Sequence, residues 1–191
     1  QMGNAEIVRI FFKAQVEDVK TQAEASLTVS LATEMRRPDL AAWAAKNCGR
    51  KGFVVGQQGY PQMLRLPSSP EAALINAIIR QESGVYQYAE SPAGALGYMQ
   101  IMPSTGRELA RKMGETGGTD RLLSDGAYNI RLGSYYLTSL IEKFSGSYVL
   151  AAAAYNGGPG RVARWVDEIG DPRSPSPPIA RYMKGRKAGE P

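Results

Sequence analysis

From Ala5 to about Met35, apolar residues recur at three- and four-residue spacing: Ile7, Val8, Phe11, Phe12, Val16, Val19, then Ala23, Leu27 and Leu31. With few breakers between them, this periodicity predicts helix. Arg37-Pro38-Asp39 interrupts the run, and Leu40–Asn47 reads as a short Ala-rich helix ended by Gly49 and Gly52. Together these make a helical hairpin. Gly56–Pro70 is rich in Gly, Gln, Pro and Ser and reads as a linker or surface loop. Ser69 as N-cap, Pro70 at the first helical position and Glu71 in the first turn then predict a helix running to about Ser83. Further helices are predicted near Pro103–Met113, Asp125–Phe144, Ser147–Tyr155 and Arg161–Ile169. No segment alternates convincingly with period two, so the expected fold class is all-α. From Asp171 the run Asp-Pro-Arg-Ser-Pro-Ser-Pro-Pro cannot continue a helix.

The predicted organisation is a helical extension over 1–58, a linker over 59–69, a main domain over 70–170 and a Pro-rich basic tail over 171–191. A chain of 191 residues accommodates one domain of about 100–150 residues with a smaller attachment. No stretch reaches the roughly 20 apolar residues of a membrane span. The chain opens on Gln1-Met2 without the charged and apolar blocks of a signal peptide, and these residues read like the interior of a longer protein.

Composition removes whole chemistries. There is no histidine and one cysteine, Cys48. A Ser-His-Asp or Cys-His nucleophile and a His-ligated zinc site are therefore excluded, and no cofactor is expected. Catalysis falls to carboxylates, Lys, Tyr or backbone dipoles. The net charge of +5 could point to nucleic acid, but its distribution argues otherwise. Residues 1–69 and 171–191 each carry +3, and 70–170, where the motifs lie, carry −1. No nucleic-acid partner is expected.

Glu71, Leu74, Ile75, Ile78, Ile79 and Glu82 share one helical face. Glu82 closes that apolar stripe. Poor solvation and the negative helix end both favour its protonated form, which suits a general acid. Periodicity alone leaves a second reading open, a last-turn Glu turned into water. Ser91-Pro-Ala-Gly-Ala-Leu-Gly-Tyr-Met-Gln-Ile-Met-Pro-Ser-Thr follows, with Gly94 and Gly97 suited to a tight loop where backbone approaches a sugar. Tyr155-Asn156-Gly157-Gly158-Pro159-Gly160 places an aromatic and an amide before a Gly-rich turn, which also reads as a plain helix C-cap. Asn129 and Gly133 read as structural, the glycine allowing close helix approach. Glu90, Glu108 and Asp125 read as solvated surface charges.

Gln81-Glu82-Ser83, the Ser91–Thr105 run, Asn129-Ile-Arg-Leu-Gly-Ser-Tyr-Tyr-Leu and Ala153-Ala-Tyr-Asn-Gly-Gly-Pro-Gly-Arg-Val resemble the successive signatures of soluble lytic transglycosylases. That family has a goose-lysozyme-like catalytic domain. The resemblance covers roughly residues 70–169 and, more weakly, likens the N-terminal helices to the end of a preceding α-superhelical region. It implies Glu82 as general acid and then base. It further implies Ser83, Ser91, Gln100 and the backbone at Met102 as groups that hold the sugar, with Tyr155 near the cleaved bond and Asn156 beside it. It implies cleavage between N-acetylmuramic acid and N-acetylglucosamine, the muramyl 6-hydroxyl closing a 1,6-anhydro ring in place of water. A site with one carboxylate fits an internal nucleophile better than a two-carboxylate hydrolysis. The implied partner is peptidoglycan, possible companions are other cell-wall proteins, and the implied location is the bacterial periplasm or envelope.

The sequence departs from the family pattern at Val85 (usually aromatic), Tyr98 (usually Leu) and Gly157 (usually Ala). After Gly170-Asp-Pro-Arg it also lacks the usual Ile-Pro-Phe…Glu-Thr-Arg…Tyr-Val segment. Two alternatives therefore stand beside the lyase: a hydrolytic muramidase, and a catalytically impaired glycan-binding copy.

Overall fold

The computed structural model describes residues 2–63, 65–116 and 118–174, with side chains from residue 7 onward. The described residues form nine α-helices: α1 Met2–Asp18, α2 Gln22–Glu34, α3 Pro38–Arg50, α4 Ala72–Glu82, α5 Pro103–Met113, α6 Arg121–Ser124, α7 Gly126–Lys143, α8 Tyr148–Gly157 and α9 Pro159–Ile169. The extended pairing among them is limited to isolated bridges, Glu90 with Leu96 and Leu96 with Ile101. The fold is all-α, as the absence of period-two segments predicts. The predicted tail over 171–191 lies outside the described residues from 175 onward. No described helix is long and apolar enough to cross a membrane.

The chain forms two compact units, Gln1–Ser134 and Tyr135–Pro191. In the first, the long N-terminal helical run is broken into α1 and α2 at a site without Gly or Pro. Thr21 accepts the amide of Glu24, and the Glu24 carboxylate accepts the amides of Lys20 and Thr21, a reciprocal capping box that starts α2. The expected hairpin is thus three helices.

Its core joins Phe12, Val16 and Val19 of the α1 end to Ala25, Val29 and Ala32 of α2 and to Leu40, Ala41, Ala44, Ala45 and Cys48 of α3. The inner face of α2 is therefore not the predicted Ala23–Leu27–Leu31 face, and Leu27 is 70% exposed. The small residues of α2 lie against an equally small face of α3. Close approach of the two backbones replaces bulk as the source of contact. Lys51 caps the α1 end, its Nζ donating to the carbonyls of Val16 and Val19 at 3.1 Å and to that of Glu17. Burial holds the Cys48 thiol above its ordinary pKa, with Lys51 opposing weakly, so Cys48 is a packed thiol.

The expected linker begins as a 3₁₀ turn, Gln57–Gly59. Gly59 is buried, and a Cβ there would lie 2.5 Å from the Ala45 side chain. The next helix starts two residues later than predicted. Glu71, not Ser69, is the α4 N-cap, and it makes no side-chain cap bond. Ile75, Ile78 and Ile79 of α4 are buried, as their stripe requires.

In the second unit, Leu140 and Phe144 pack with Leu150, Ala151 and Ala154 of α8 and Val162 of α9. Ser147 caps α8 by accepting the Leu150 amide. Gly158, with φ +84°, ends α8 and begins α9, and Pro159 sits at the first position of α9.

Candidate active site

Glu82 is the last residue of α4 and is partly buried. The stripe that precedes it, Ile75, Ile78 and Ile79, is buried and anchors the helix. Ser83 closes the helix: its amide and hydroxyl both donate to the Ile79 carbonyl at 3.1 Å. Two left-handed residues follow, Gly84 at φ +61° and Val85 at φ +65°. A β-branched residue at positive φ costs on the order of 1–3 kcal/mol and persists only where its surroundings hold it. Val85 is 3% exposed, and that burial holds it. The departure from an aromatic at position 85 thus leaves a small, strained, packed residue three positions after Glu82.

Glu82 and Ser83 line a cleft of about 240 Å³ in the first unit. Helices α1 and α3 supply much of its wall, including Arg9, Lys13 and Trp43. Those contributions have no signal in the motif region, because tertiary packing brings them there.

Ser91 and Gln100 share one loop. The Ser91 hydroxyl accepts the Ala95 amide at 2.9 Å, while the backbones of the same two residues bond at 3.0 Å. Gln100 takes φ +47°, and its Nε2 donates to the carbonyls of Ala89 at 3.1 Å and Gly97 at 2.9 Å. The Gln100 amide nitrogen thus braces the loop, leaving Oε1 as what the side chain can offer a ligand. Met102 is the α5 N-cap, 40% exposed, and its carbonyl accepts the Gly106 amide at 2.8 Å.

Gly97 takes the left-handed backbone of a tight loop and is also packed against its own protein. At φ +77° a Cβ would lie 2.3 Å from both the Asn129 amide nitrogen and the Leu122 carbonyl. The close approach is to the protein's own α7 residue. Gly94, at φ +82° with open space around it, is required for its backbone conformation. Tyr98 packs its ring against Gly126, where a Cβ would come within 2.7 Å. Burial first, then the Asp39 carboxylate and then Tyr88, hold the Tyr98 hydroxyl above its ordinary range, so it remains a donor at neutral pH.

Tyr155 and Asn156 belong to the second unit, near the end of α8. Tyr155 is partly buried with its ring tilted 48° against Tyr136, centroids 5.4 Å apart, while Asn156 is exposed. A Cβ on Gly157 would lie 3.6 Å from the Trp165 ring, so the usual Ala would fit. Asp125 is more than a solvated charge: it accepts the Tyr128 amide at the start of α7 and pairs with Arg121 at 2.8 Å. Glu108 is exposed and pairs with Lys112. Among the described residues no cluster of three or more His, Cys, Asp or Glu could hold a metal ion.

Residues 62–174 match the Transglycosylase SLT domain family. The chain is 40% identical over 91 residues to the soluble lytic murein transglycosylase of Escherichia coli (strain K12), a match covering 47% of this chain and 14% of that protein. It is 39% identical over 103 residues to the membrane-bound lytic murein transglycosylase C of Salmonella paratyphi B, covering 49% of this chain and 29% of that one. Among solved structures, an inactive Glu-to-Gln mutant of the lytic transglycosylase Slt from Pseudomonas aeruginosa superposes with TM-score 0.70 at 28% identity. That match covers 87% of this chain and 28% of the other. A complex of the 70-kDa soluble lytic transglycosylase with bulgecin A gives 0.66 at 26% identity, over 80% and 25%. The chain spans less than a third of the length of each of these relatives.

Proposed function

The chain belongs to the Transglycosylase SLT domain family, and from that premise we propose that it is a peptidoglycan lytic transglycosylase with Glu82 as its acid and base. The observation that carries this reading is the placement of Glu82, a carboxylate closing a buried isoleucine stripe and facing a cleft. A solved relative described as inactive with Glu replaced by Gln supports an essential glutamate in that enzyme.

The protonated Glu82 donates to the glycosidic oxygen between N-acetylmuramic acid and N-acetylglucosamine as the bond from the muramyl anomeric carbon to that oxygen breaks. The departing N-acetylglucosamine keeps the proton as its 4-hydroxyl. The Glu82 carboxylate then takes the proton of the muramyl 6-hydroxyl while that oxygen bonds to the anomeric carbon. Glu82 ends as it began, no water is consumed, and the product carries a 1,6-anhydro ring. Ser83, Ser91, Gln100 and the Met102 backbone hold the sugar in this reading, and Tyr155 with Asn156 lies near the cleaved bond. The modular division proposed with it is an extension over 1–58, a connector over 59–69 and a catalytic domain over 70–170. The substrate places the protein in a bacterial periplasm or envelope, among other cell-wall proteins.

The test is digestion of purified sacculi with mass spectrometry of the soluble products. Muropeptides one water lighter than their reducing forms, lost in a folded Glu82→Gln protein, are the expected result. Reducing ends would assign a hydrolytic muramidase. No product from a folded protein that binds sacculi would assign an impaired glycan-binding copy.

A further inference from the structure

Tyr60-Pro61-Gln62, ahead of α4, lines two adjoining cavities of about 660 and 480 Å³ in the first unit. Arg36, Gln57 and Gln58 border the first, and Ala73, Asn76 and Arg80 of α4 border the second. The Ala73–Asn76–Arg80 stripe lies roughly 200° around α4 from the Ile75–Ile78–Glu82 stripe, since each residue turns a helix by about 100°. Of the residues lining these cavities only Arg80 also borders the Glu82 cleft. The surface is therefore separate from that cleft.

Tyr60 is 56% exposed. Arg80 stacks on its ring, 4.2 Å from the centroid, and is itself anchored by donating to the Gly59 carbonyl. The ring is thus held in place while much of it stays open to solvent. Around it stand carboxamides with unused capacity. Gln57 and Gln62 make no side-chain hydrogen bond among the described residues. Gln58 uses only its Oε1, which accepts the Ser30 hydroxyl at 2.7 Å, and its two N–H donors remain. Asn76 fixes the segment by accepting the Met63 amide at 2.9 Å. Charge is largely spent: Arg37 is paired with Asp39 and Arg80 is engaged as described, which leaves Arg36. A polyanion would call for more free cations than that.

A rigid aromatic ring among amides that both donate and accept matches the surface of an N-acetylated sugar. The polarised C–H bonds of a pyranose face the negative ring face, and its acetamido and hydroxyl groups meet the carboxamides. From this juxtaposition we propose that the Tyr60 surface is a second saccharide-binding site, holding an N-acetylhexosamine strand other than the one at Glu82. The identity of the polymer rests on the proposed function. Such a site keeps the enzyme on its insoluble substrate while the cleft exchanges one strand for the next. Gln57, Gln58 and Tyr60 precede the family match at 62–174, so the motifs give no sign of it.

The test is an NMR titration of the full chain, carrying Glu82→Gln to prevent turnover, with the β-1,4-linked tetrasaccharide of N-acetylglucosamine. Saturable shifts are expected at the Gln57, Tyr60 and Gln62 amides. Cellotetraose, which has the same linkage and no acetamido groups, should bind there about tenfold more weakly through the lost hydrogen bonds. Tyr60→Ala should abolish these shifts and Tyr60→Phe should keep them. Because Tyr60 also supports Arg80, Gln57→Ala/Gln62→Ala gives a second reading with the stack intact, and it should weaken binding by a similar factor. No shift at these amides at millimolar sugar, equal binding of cellotetraose, or shifts unchanged in the folded variants overturns the proposal. Absence of anhydro products from sacculi, with these shifts intact, would instead refute the proposed function and leave the second site standing.

Discussion

The Asn129 side chain holds Met99 in place from 30 residues away: its Oδ1 accepts the Met99 amide at 2.8 Å. The Asn129 Nδ2 donates to the carbonyls of Leu96 at 2.8 Å and Leu122 at 3.0 Å. Both residues are fully buried. One amide on α7 thereby fixes the loop that carries Gln100 and the approach to α6.

Removal of that amide leaves three backbone groups without their side-chain partner, at least one of them deep in the protein. Each orphaned buried group costs about 1–3 kcal/mol, so Asn129→Ala should destabilise by about 3 kcal/mol or more. Asn129→Asp keeps the acceptor but turns a carboxylate toward two carbonyls and should be no milder. Urea unfolding measures both. A loss under about 1 kcal/mol for Asn129→Ala would show that these bonds are not what holds the loop.

Gly133 faces Met99 from the same helix, and a Cβ there would lie 2.4 Å from the Met99 sulfur and 2.8 Å from its Cβ. The second clash involves an atom that cannot swing away. Ala gains about 1 kcal/mol over Gly by helix propensity, while overpacking costs about 1–3 kcal/mol. Gly133→Ala should therefore be net destabilising in the wild-type background. In a Met99→Gly background both clashing atoms are gone and the same substitution should be neutral or stabilising. A double-mutant cycle by thermal melting reads the sign change, and additive effects would refute the steric account.

The α5 helix lies where its sequence predicts, Pro103–Met113, because Pro at its start and Gly114 at its end are local signals. The stripe behind Glu82 was equally legible, being set by spacing within one helix. The α1–α2 break carried a local signal too, since Thr21 and Glu24 have capping-box spacing, but the continuous apolar pattern obscured it. The inner face of α2 was not legible. Which side of a helix is buried depends on its partner, and the alanines of α3 select Ala25, Val29 and Ala32 over the larger Leu27. For the same reason Glu82 could be read from the motif region but Arg9, Lys13 and Trp43 could not. Their approach to it is a product of tertiary packing.

Lys51 gives a test of that packing. Its three carbonyl acceptors lie at the end of α1, where the helix dipole favours a cation. Lys51→Met keeps much of the aliphatic stem and removes the charge, and should cost about 1 kcal/mol. Hydrogen exchange should show the loss first at the amides of the last α1 turn. Unchanged protection there would show the cap to be incidental.

Asp171 provides the clearest dependence on pH. Its carboxylate accepts from the Arg173 side chain and from the Arg173 amide, in that order of influence, and these bonds hold its pKa at about 2. The guanidinium also donates to the Phe144 carbonyl at 3.0 Å, linking the segment after α9 to the end of α7. The folded pKa lies below the roughly 3.9 of an unfolded aspartate. The contact is therefore fully present above about pH 4 and is lost as pH falls toward 2. Because the pair is exposed, the global stability change should be small and weakened further by salt. The informative measurement is an NMR titration of the Asp171 carboxyl, with the Phe144 and Arg173 signals followed alongside. A midpoint near 2, moving those signals with it and absent in Asp171→Asn, is expected. A midpoint near 4 would mean that Arg173 does not hold the carboxylate in solution, and the link to Phe144 would then have to stand without it.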